Sequence, residues 1–252
     1  MSRRKRSHYE KGPLAKIWGK LFPAEEIIEE NMPDRETLEY LSTSYPANHN
    51  YLLKQGKLVP LRKLEGRYKD ITPHYPKGVN SVLDLACSKG YFNFDAVTSF
   101  GCERSMGIDV MKQELASCAA VKKYLGDEVT NFEEMRLHEL APIINDFGGP
   151  FDLAFVINCY QYLYFGSEYF NECYMSHDKI FHDLREVCSG RVIFSNRVEV
   201  EHLQDYPTEK ANGPLMTEKY DDESVFAAAS KYFTVTRVGK LGRYPIWTLD
   251  AL

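Results

Sequence analysis

The sequence predicts an α/β fold: a mostly parallel sheet of seven strands with helices on both faces, closed by a C-terminal antiparallel hairpin and preceded by a helical extension. Three observations predict it. From Val79 onward, short apolar runs alternate with stretches of helical period, the pattern of a parallel sheet with crossover helices. The last two runs, Phe233–Val238 and Arg243–Leu249, are separated only by the glycine-bounded link 239–242, which suits a hairpin. Before Gly78 the alternation is absent.

Taken in order, Val79–Leu85 is the first strand, with a turn behind it, and Tyr91–Ser99 is a helix. Arg104–Val110 is the second strand, and Lys112–Leu125 a helix stopped by Gly126. Val129–Glu134 and Phe151–Asn158 are the third and fourth strands. Asp178–Cys188 is a helix, Ser189-Gly190 a turn, and Arg191–Ser195 the fifth strand. Asp221–Tyr232 is the last helix. Upstream, Asp34 is placed to cap a short helix after Pro33. Tyr45-Pro46-Ala47-Asn48 is turn-like. From His49 to Ile71 the apolar positions Leu52, Leu53, Leu58, Leu61, Leu64 and Tyr68 recur at roughly helical intervals, broken at Pro60. The expected organisation is a flexible basic tail over 1–20, a helical extension or lid over 21–77 and the α/β domain over 78–252.

The 252 residues, 44% hydrophobic and 13% aromatic, suffice for one domain with an appended segment and exclude disorder throughout. No apolar run reaches the ~18 residues of a membrane span. Met1-Ser2-Arg3-Arg4-Lys5-Arg6 is followed by no apolar stretch, so no secretory signal is expected and a cytoplasmic setting follows. The six cysteines stand singly, without the paired spacing of a zinc site or disulfide framework. His177 and His182, five apart, do not share a helix face as ligand pairs do, and no metal is expected.

Net charge is −5, unevenly spread: residues 1–20 carry seven Lys/Arg and one acid, and residues 51–78 carry seven Lys/Arg and two acids. These segments suit either an anionic partner, nucleic acid included, or a solvated tail and helix face.

The chemistry concentrates after the first strand, because an open parallel sheet binds ligands beyond the carboxyl ends of its strands. There Asp84-Leu85 leads into Ala86, Cys87, Ser88 and Gly90, small residues that let backbone approach a ligand at a helix N-terminus. Asp109 ends the second strand, where a carboxylate can accept both ribose hydroxyls of an adenosine.

These residues carry a family resemblance. Val82-Leu83-Asp84-Leu85-Ala86-Cys87-Ser88-Lys89-Gly90 resembles the first motif of the class I S-adenosylmethionine-dependent methyltransferases, which usually reads acidic-x-Gly-x-Gly-x-Gly. Only its last glycine is kept, with Ala86 and Ser88 in the other two places. Gly107-Ile108-Asp109 resembles the ribose-binding acid of that family. Gly149–Asn158 resembles its fourth strand, and Ser189–Phe194 the turn and strand that follow. Together these span about residues 78–250 in the family's order.

The resemblance implies a Rossmann-like fold and S-adenosylmethionine as cofactor. Asp84 is then expected near the methionine amino group, with Cys87, Ser88 and Gly90 along the amino-acid part. Asp109 is expected on the ribose, and Val110 and Met111 on the adenine. Leu137 and His138 are expected at the adenine edge, unless they only start a surface helix. Asn158 and Tyr160 end the fourth strand, beside the methyl group. Glu65–Ile71 resembles the arginine-bearing helix of some relatives, so Arg67 is expected to pair with the cofactor carboxylate. The Glu-His pair found in many relatives is replaced by Gln161 and Tyr162. Tyr160, Tyr162 and Tyr164 therefore either shape an acceptor pocket or pack in the core, with Tyr160 and Tyr162 the catalytic candidates.

For the acceptor, a small molecule is favoured, enclosed by residues 30–75 and 196–220. The motif order is also distantly similar to the family that modifies wobble uridine in transfer RNA with a carboxylated cofactor, which keeps an RNA acceptor open. A cofactor-binding scaffold without catalysis is the alternative of another class.

Overall fold

In a computed structural model of the protein, residues 31–167, 172–203 and 218–252 are described. The expectations for the tail over 1–20, for residues 21–30 and for 204–217 lie outside them. Met1–Met32 and Pro33–Leu252 form separate units, and the second contains everything described from Pro33 on.

Helix α1 (Arg35–Thr43) begins where the sequence predicts, with the Asp34 carboxylate accepting from Thr37 N–H at 2.8 Å. The next stretch corrects the sequence reading. His49–Pro60 is not helical but a hairpin of β1 (Tyr51–Lys54) and β2 (Lys57–Pro60), in register from Tyr51↔Pro60 to Lys54↔Lys57. Its two-residue turn, Gln55-Gly56, has φ of 52° and 67°, the left-handed pair that matches strand twist. Tyr51 and Leu53 are buried while Lys54 is exposed, a period of two that the scattered leucines obscured. The hairpin tip is anchored where Gly56 N–H donates to Tyr124 Oη at 2.8 Å. Helix α2 (Arg62–Ile71) follows and buries Leu64, Arg67 and Ile71. The extension is thus mixed rather than helical, and from Pro33 it belongs to the same compact unit as the sheet.

The main sheet has seven strands in the order β5-β4-β3-β6-β7-β9-β8. They are β3 (Ser81–Leu85), β4 (Arg104–Asp109), β5 (Thr130–Glu134), β6 (Phe151–Ile157), β7 (Cys188–Ser195), β8 (Phe233–Leu241) and β9 (Tyr244–Ala251). β3 through β7 are parallel, and β9 pairs antiparallel with both β7 and β8. The helices between them are α3 (Tyr91–Phe100), α4 (Lys112–Leu125), α5 (Leu137–Leu140), α6 (Tyr160–Phe165), α7 (His177–Val187) and α8 (Asp222–Ala229). Every residue of β3 is buried, as a central strand covered on both faces requires.

Two link predictions fail, the first for a steric reason. Ser189-Gly190 is not a turn but part of β7, beside a register irregularity opposite Phe151 and Leu153. A Cβ on Gly190 would sit 2.1 Å from the Asp152 carbonyl oxygen, so the glycine serves close strand approach. Gly239 likewise lies within β8 at an irregularity, and the hairpin turns at Gly242-Arg243 between the paired Leu241 and Tyr244.

The order in which strands are added reverses across β3. Its successors β4 and β5 lie on one side, while β6 and β7 lie on the other. That switch point opens a crevice beyond the carboxyl ends of β3 and β6, where such sheets place their ligands.

Candidate cofactor site

The turn after β3 is built on three left-handed residues. Ala86, Ser88 and Gly90 have φ of 57°, 51° and 70°. These are the three positions at which the resembling motif has glycine, and two of them carry side chains here. Each non-glycine residue in this region costs ~1–2 kcal/mol. Gly90 has a further reason to stay: a Cβ there would come 2.8 Å from the Phe132 ring and 3.0 Å from Cys118 Sγ.

Asp109 locks this turn. Its Oδ2 accepts from Ser88 N–H and its Oδ1 from Met111 N–H, both at 2.9 Å. Burial raises its pKa, against the lowering by these backbone donors. Asp84, 7% exposed, is pushed by burial up to about 7, opposed by the Arg67 guanidinium. Arg67, 5% exposed, is lowered by burial to about 10 and donates from Nη1 to His49 Nε2 at 2.6 Å. His49 is held well below its ordinary value by burial and by the Arg67 and Lys89 charges, so its ring is a neutral acceptor. The Arg67 Nε is buried without a partner.

A cavity of about 980 Å³ opens over these strand ends. Of the predicted residues, Ala86, Asp109, Val110, Met111, Leu137, His138 and Tyr162 line it. Cys87, Ser88 and Gly90 lie behind it. The Cys87 thiol turns inward, toward Gly107 on β4, so Cys87 has only backbone to offer a ligand. Arg67 and Asp84 are both buried, with the guanidinium charge acting on the Asp84 carboxyl, and neither lines the cavity.

Tyr160 corrects the expectation of a catalytic hydroxyl at that position. It is fully buried and its Oη lies 2.6 Å from His177 Nδ1, while His177 Nε2 lies 2.8 Å from the Lys219 carbonyl. The ring Nε2–H therefore donates to Lys219, and Nδ1 accepts from Tyr160. The aromatic run after β6 divides, with Tyr160 and Tyr164 in the core and Tyr162 in the wall. His182 pairs with Asp183 instead of a second histidine. Asn158 is left-handed at φ 59°, with its N–H on the Ser195 carbonyl and its Oδ1 buried without a partner.

Four contributors were missed from sequence. Lys89, inside the motif, is fully buried. Its Nζ donates to Asn50 Oδ1 at 2.5 Å and lies 5.0 Å from the Tyr40 ring centroid. Burial lowers it to about 8. With Tyr51 Oη donating to the Lys89 carbonyl at 2.6 Å, it straps the segment 40–51 onto the turn. That segment supplies Tyr40, Tyr45 and Pro46 to the cavity. Glu114 lines the same wall from α4. Asn196, 1% exposed, accepts from Cys159 and Tyr160 N–H at 2.9 Å and donates to the Val156 carbonyl at 2.7 Å. It caps α6 from just beyond the end of β7. Lysine after a serine, or asparagine after a strand, carries no pattern by which to find these roles.

Among the described residues, His138, Glu139 and Glu172 form the one grouping with metal-ligand proximity, their donor atoms within 4.8 Å of one another. All three are exposed, and Arg136 is ion-paired with both carboxylates.

No family model and no curated protein matches the chain by sequence. Solved structures do resemble it. The PH0226 protein of Pyrococcus horikoshii aligns at TM-score 0.53 and 20% identity, over 75% of this chain and 91% of that one. An O-methyltransferase family protein of Burkholderia thailandensis aligns at TM-score 0.51 and 13% identity, over 75% and 56%. A protein assigned as an S-adenosylmethionine-dependent methyltransferase from Listeria monocytogenes aligns at 0.50 and 16%, over 75% and 98%. The fold is that of the class I S-adenosylmethionine-dependent methyltransferases. The bifunctional kinase-methyltransferase WbdD aligns at 0.49 and 16%, over 74% of this chain, which spans only 38% of that protein's length. The similarity to the wobble-uridine family is not shown by these comparisons.

The residues present fit the cofactor of this methyltransferase fold. The cavity lies at the switch point, its volume is within the ~300–1,000 Å³ of small-molecule sites, and acidic Asp109 and Glu114 share a wall with apolar Val110, Met111 and Leu137.

Proposed function

We propose that this chain is an S-adenosylmethionine-dependent methyltransferase acting on a small-molecule acceptor. The observation that carries the reading is the turn after β3, whose left-handed Ala86, Ser88 and Gly90 are bridged by Asp109 to the end of β4 beneath a cavity. The resemblance assigns Asp84 and Arg67 to the amino-acid part of the cofactor, which they would reach from behind the turn, since neither lines the cavity. Val110, Met111, Leu137 and His138 offer an adenine slot.

Bound there, the cofactor supplies an electrophilic methyl on a sulfonium. The protein's own task is to align an acceptor with it and to exclude water. Cys159, Tyr162 and Leu163, between β6 and the end of α6, form the wall where an acceptor would lie. The Tyr162 hydroxyl is the residue available to orient it. No base is required unless the acceptor loses its proton during attack.

The cavity is at the upper end of the range for single sites, which supports a cofactor and a small acceptor together. All six cysteines are unpaired, in keeping with a reducing compartment such as the cytoplasm. Among the described residues, no helix is long and apolar enough to cross a membrane. One observation favours an RNA acceptor instead: Lys54, Lys57, Arg62 and Lys63 are exposed along the hairpin and α2. Salt-dependent retention on RNA, lost on reversing these four charges, would decide for it.

Isothermal calorimetry with S-adenosylmethionine and S-adenosylhomocysteine tests the main reading. Binding of both, abolished by Asp109→Ala, is expected. Absence of binding at millimolar ligand would falsify it.

A further inference from the structure

Three half-buried arginines are saturated by the protein itself. Arg104 donates to the carbonyls of Phe147, Gly149 and Pro150, Arg136 is ion-paired with Glu139 and Glu172, and Arg191 with Asp250. Two others are not. Arg197 lies just beyond the carboxyl end of β7, and Arg243 in the turn that leads into β9. Both converge on one phenol: Arg197 Nε donates to Tyr244 Oη at 3.1 Å, and Arg243 Nε donates to the same oxygen at 2.9 Å. The two guanidinium carbons stand 5.8 and 5.2 Å from the Tyr244 ring centroid. His202 packs edge-to-face on that ring, with centroids 5.7 Å apart.

The shared oxygen holds the two cations no farther apart than its two bonds allow. Arginine does not lose its proton in proteins, so neither can relieve the repulsion by titrating. Among the described residues neither is ion-paired with a carboxylate, although Glu199 and Glu201 are close to Arg197 in the chain. Each bond to Tyr244 uses Nε, which leaves the Nη1 and Nη2 donors of both forks to an outside acceptor. The frame beneath them is fixed. Tyr244 pairs with Leu241 across the hairpin, and the Arg197 carbonyl accepts from the buried Tyr220 Oη at 2.7 Å.

The cluster adjoins the acceptor side of the cavity through both of its chain segments. Asn196, directly before Arg197, holds the N–H of Cys159, which lines that wall. Leu203, directly after His202, is in the wall itself. Arginine forks pair bidentately with phosphate oxygens, and a phosphate monoester brings up to two charges and three oxygens to two forks. A carboxylate brings one charge and two oxygens.

We propose that Arg197, Arg243 and His202, gathered on Tyr244, bind a phosphate group carried by the methyl acceptor. The anion site stands on its own geometry, whereas its assignment to the acceptor rests on the methyltransferase reading above. The phosphate is a handle: no bond to it forms or breaks, and the reactive end of the acceptor extends past Leu203 toward Cys159 and Tyr162.

The test is calorimetric, on the full chain, titrating phenyl phosphate and phenol at low salt with and without saturating S-adenosylhomocysteine. Phenyl phosphate is expected to bind at least about tenfold tighter than phenol. Arg197→Gln and Arg243→Gln should each weaken phenyl phosphate about tenfold, the value of one charge-assisted pair, and leave phenol unchanged. Tyr244→Phe keeps the ring but removes the oxygen that orients both forks, and should weaken phenyl phosphate by a smaller factor. Thermal melts of the unliganded arginine variants should be at or above wild type, since a like-charge contact is relieved. Equal affinity of wild type and both arginine variants for phenyl phosphate overturns the proposal and leaves the cofactor reading standing. Phosphate selectivity through these residues in a protein that does not bind S-adenosylhomocysteine keeps the anion site and overturns its assignment to a methyl acceptor. A short single-stranded RNA that displaces phenyl phosphate, and is itself released by the same variants, overturns the small acceptor in favour of nucleic acid.

Discussion

Replacing Ser88 by glycine should make the protein more stable, although serine is the larger side chain and lies in a buried turn. Ser88 sits at φ 51°, a left-handed conformation that costs a non-glycine residue ~1–2 kcal/mol. Its hydroxyl is buried beside the Glu114 carboxylate without a well-formed hydrogen bond, which adds ~1 kcal/mol of lost hydration. Against this, glycine gives the unfolded chain more freedom, worth ~0.5–1 kcal/mol. The balance is a gain of about 1–2 kcal/mol, or roughly 3–6 °C in Tm for a domain of this size. Ser88→Ala, which removes the hydroxyl but keeps the strain, should fall between. Gly90→Ala should have the opposite sign two residues away. It combines φ 70° with a Cβ 2.8 Å from the Phe132 ring, a loss of about 2–5 kcal/mol. Urea unfolding followed by far-ultraviolet circular dichroism, with S-adenosylhomocysteine omitted, measures all three. If Ser88→Gly is no more stable than wild type, or Gly90→Ala is neutral, the strained-turn argument is wrong.

The other expected outcomes concern the groups around this turn. Asp84 titrates near 7 when folded but below 4 when unfolded. The native state therefore holds a proton that the unfolded state has lost, and stability should fall as pH rises from about 4 to 7. Asp84→Asn should flatten that slope, read from urea midpoints at pH 5 and pH 8; an unchanged slope would exclude Asp84 as its source. Asn196→Ala strips partners from two N–H groups and one carbonyl, so a loss of about 2–4 kcal/mol is expected on chemical denaturation. A loss under ~0.5 kcal/mol would mean that water replaces the carboxamide. Tyr160→Phe should cost about 1–3 kcal/mol by leaving His177 Nδ1 unpaired. Its affinity for S-adenosylhomocysteine should match wild type; a tenfold loss would return Tyr160 to the site.

Much of the frame was legible because it rests on local chemistry. Lys112–Leu125 ends at Gly126 in both the sequence reading and the structure. β3, β4 and β6 match their apolar runs to within one or two residues at either end. Where two periodicities competed, the sequence misled. Leucines at 52, 53, 58 and 61 fit a helix by spacing, yet the left-handed Gln55-Gly56 pair makes a hairpin. Gly190 looked like a turn because glycine often marks one, whereas contact with the Asp152 backbone made it necessary within a strand.

The sequence by itself determined the order of strands and helices, the place of the tight turn after β3 and the acid at the end of β4, since each depends on residues adjacent in the chain. Only the tertiary structure decided what those residues face. It turned Cys87 inward and set Tyr160 against His177, seventeen residues away. It brought Asn50 to Lys89, thirty-nine residues away, and so carried Tyr40 to Glu114. It also brought the Ser88 N–H to Asp109 Oδ2, twenty-one residues away. Side-chain direction in a crevice is set by several elements meeting, and the chain encodes that only through the packing of the whole.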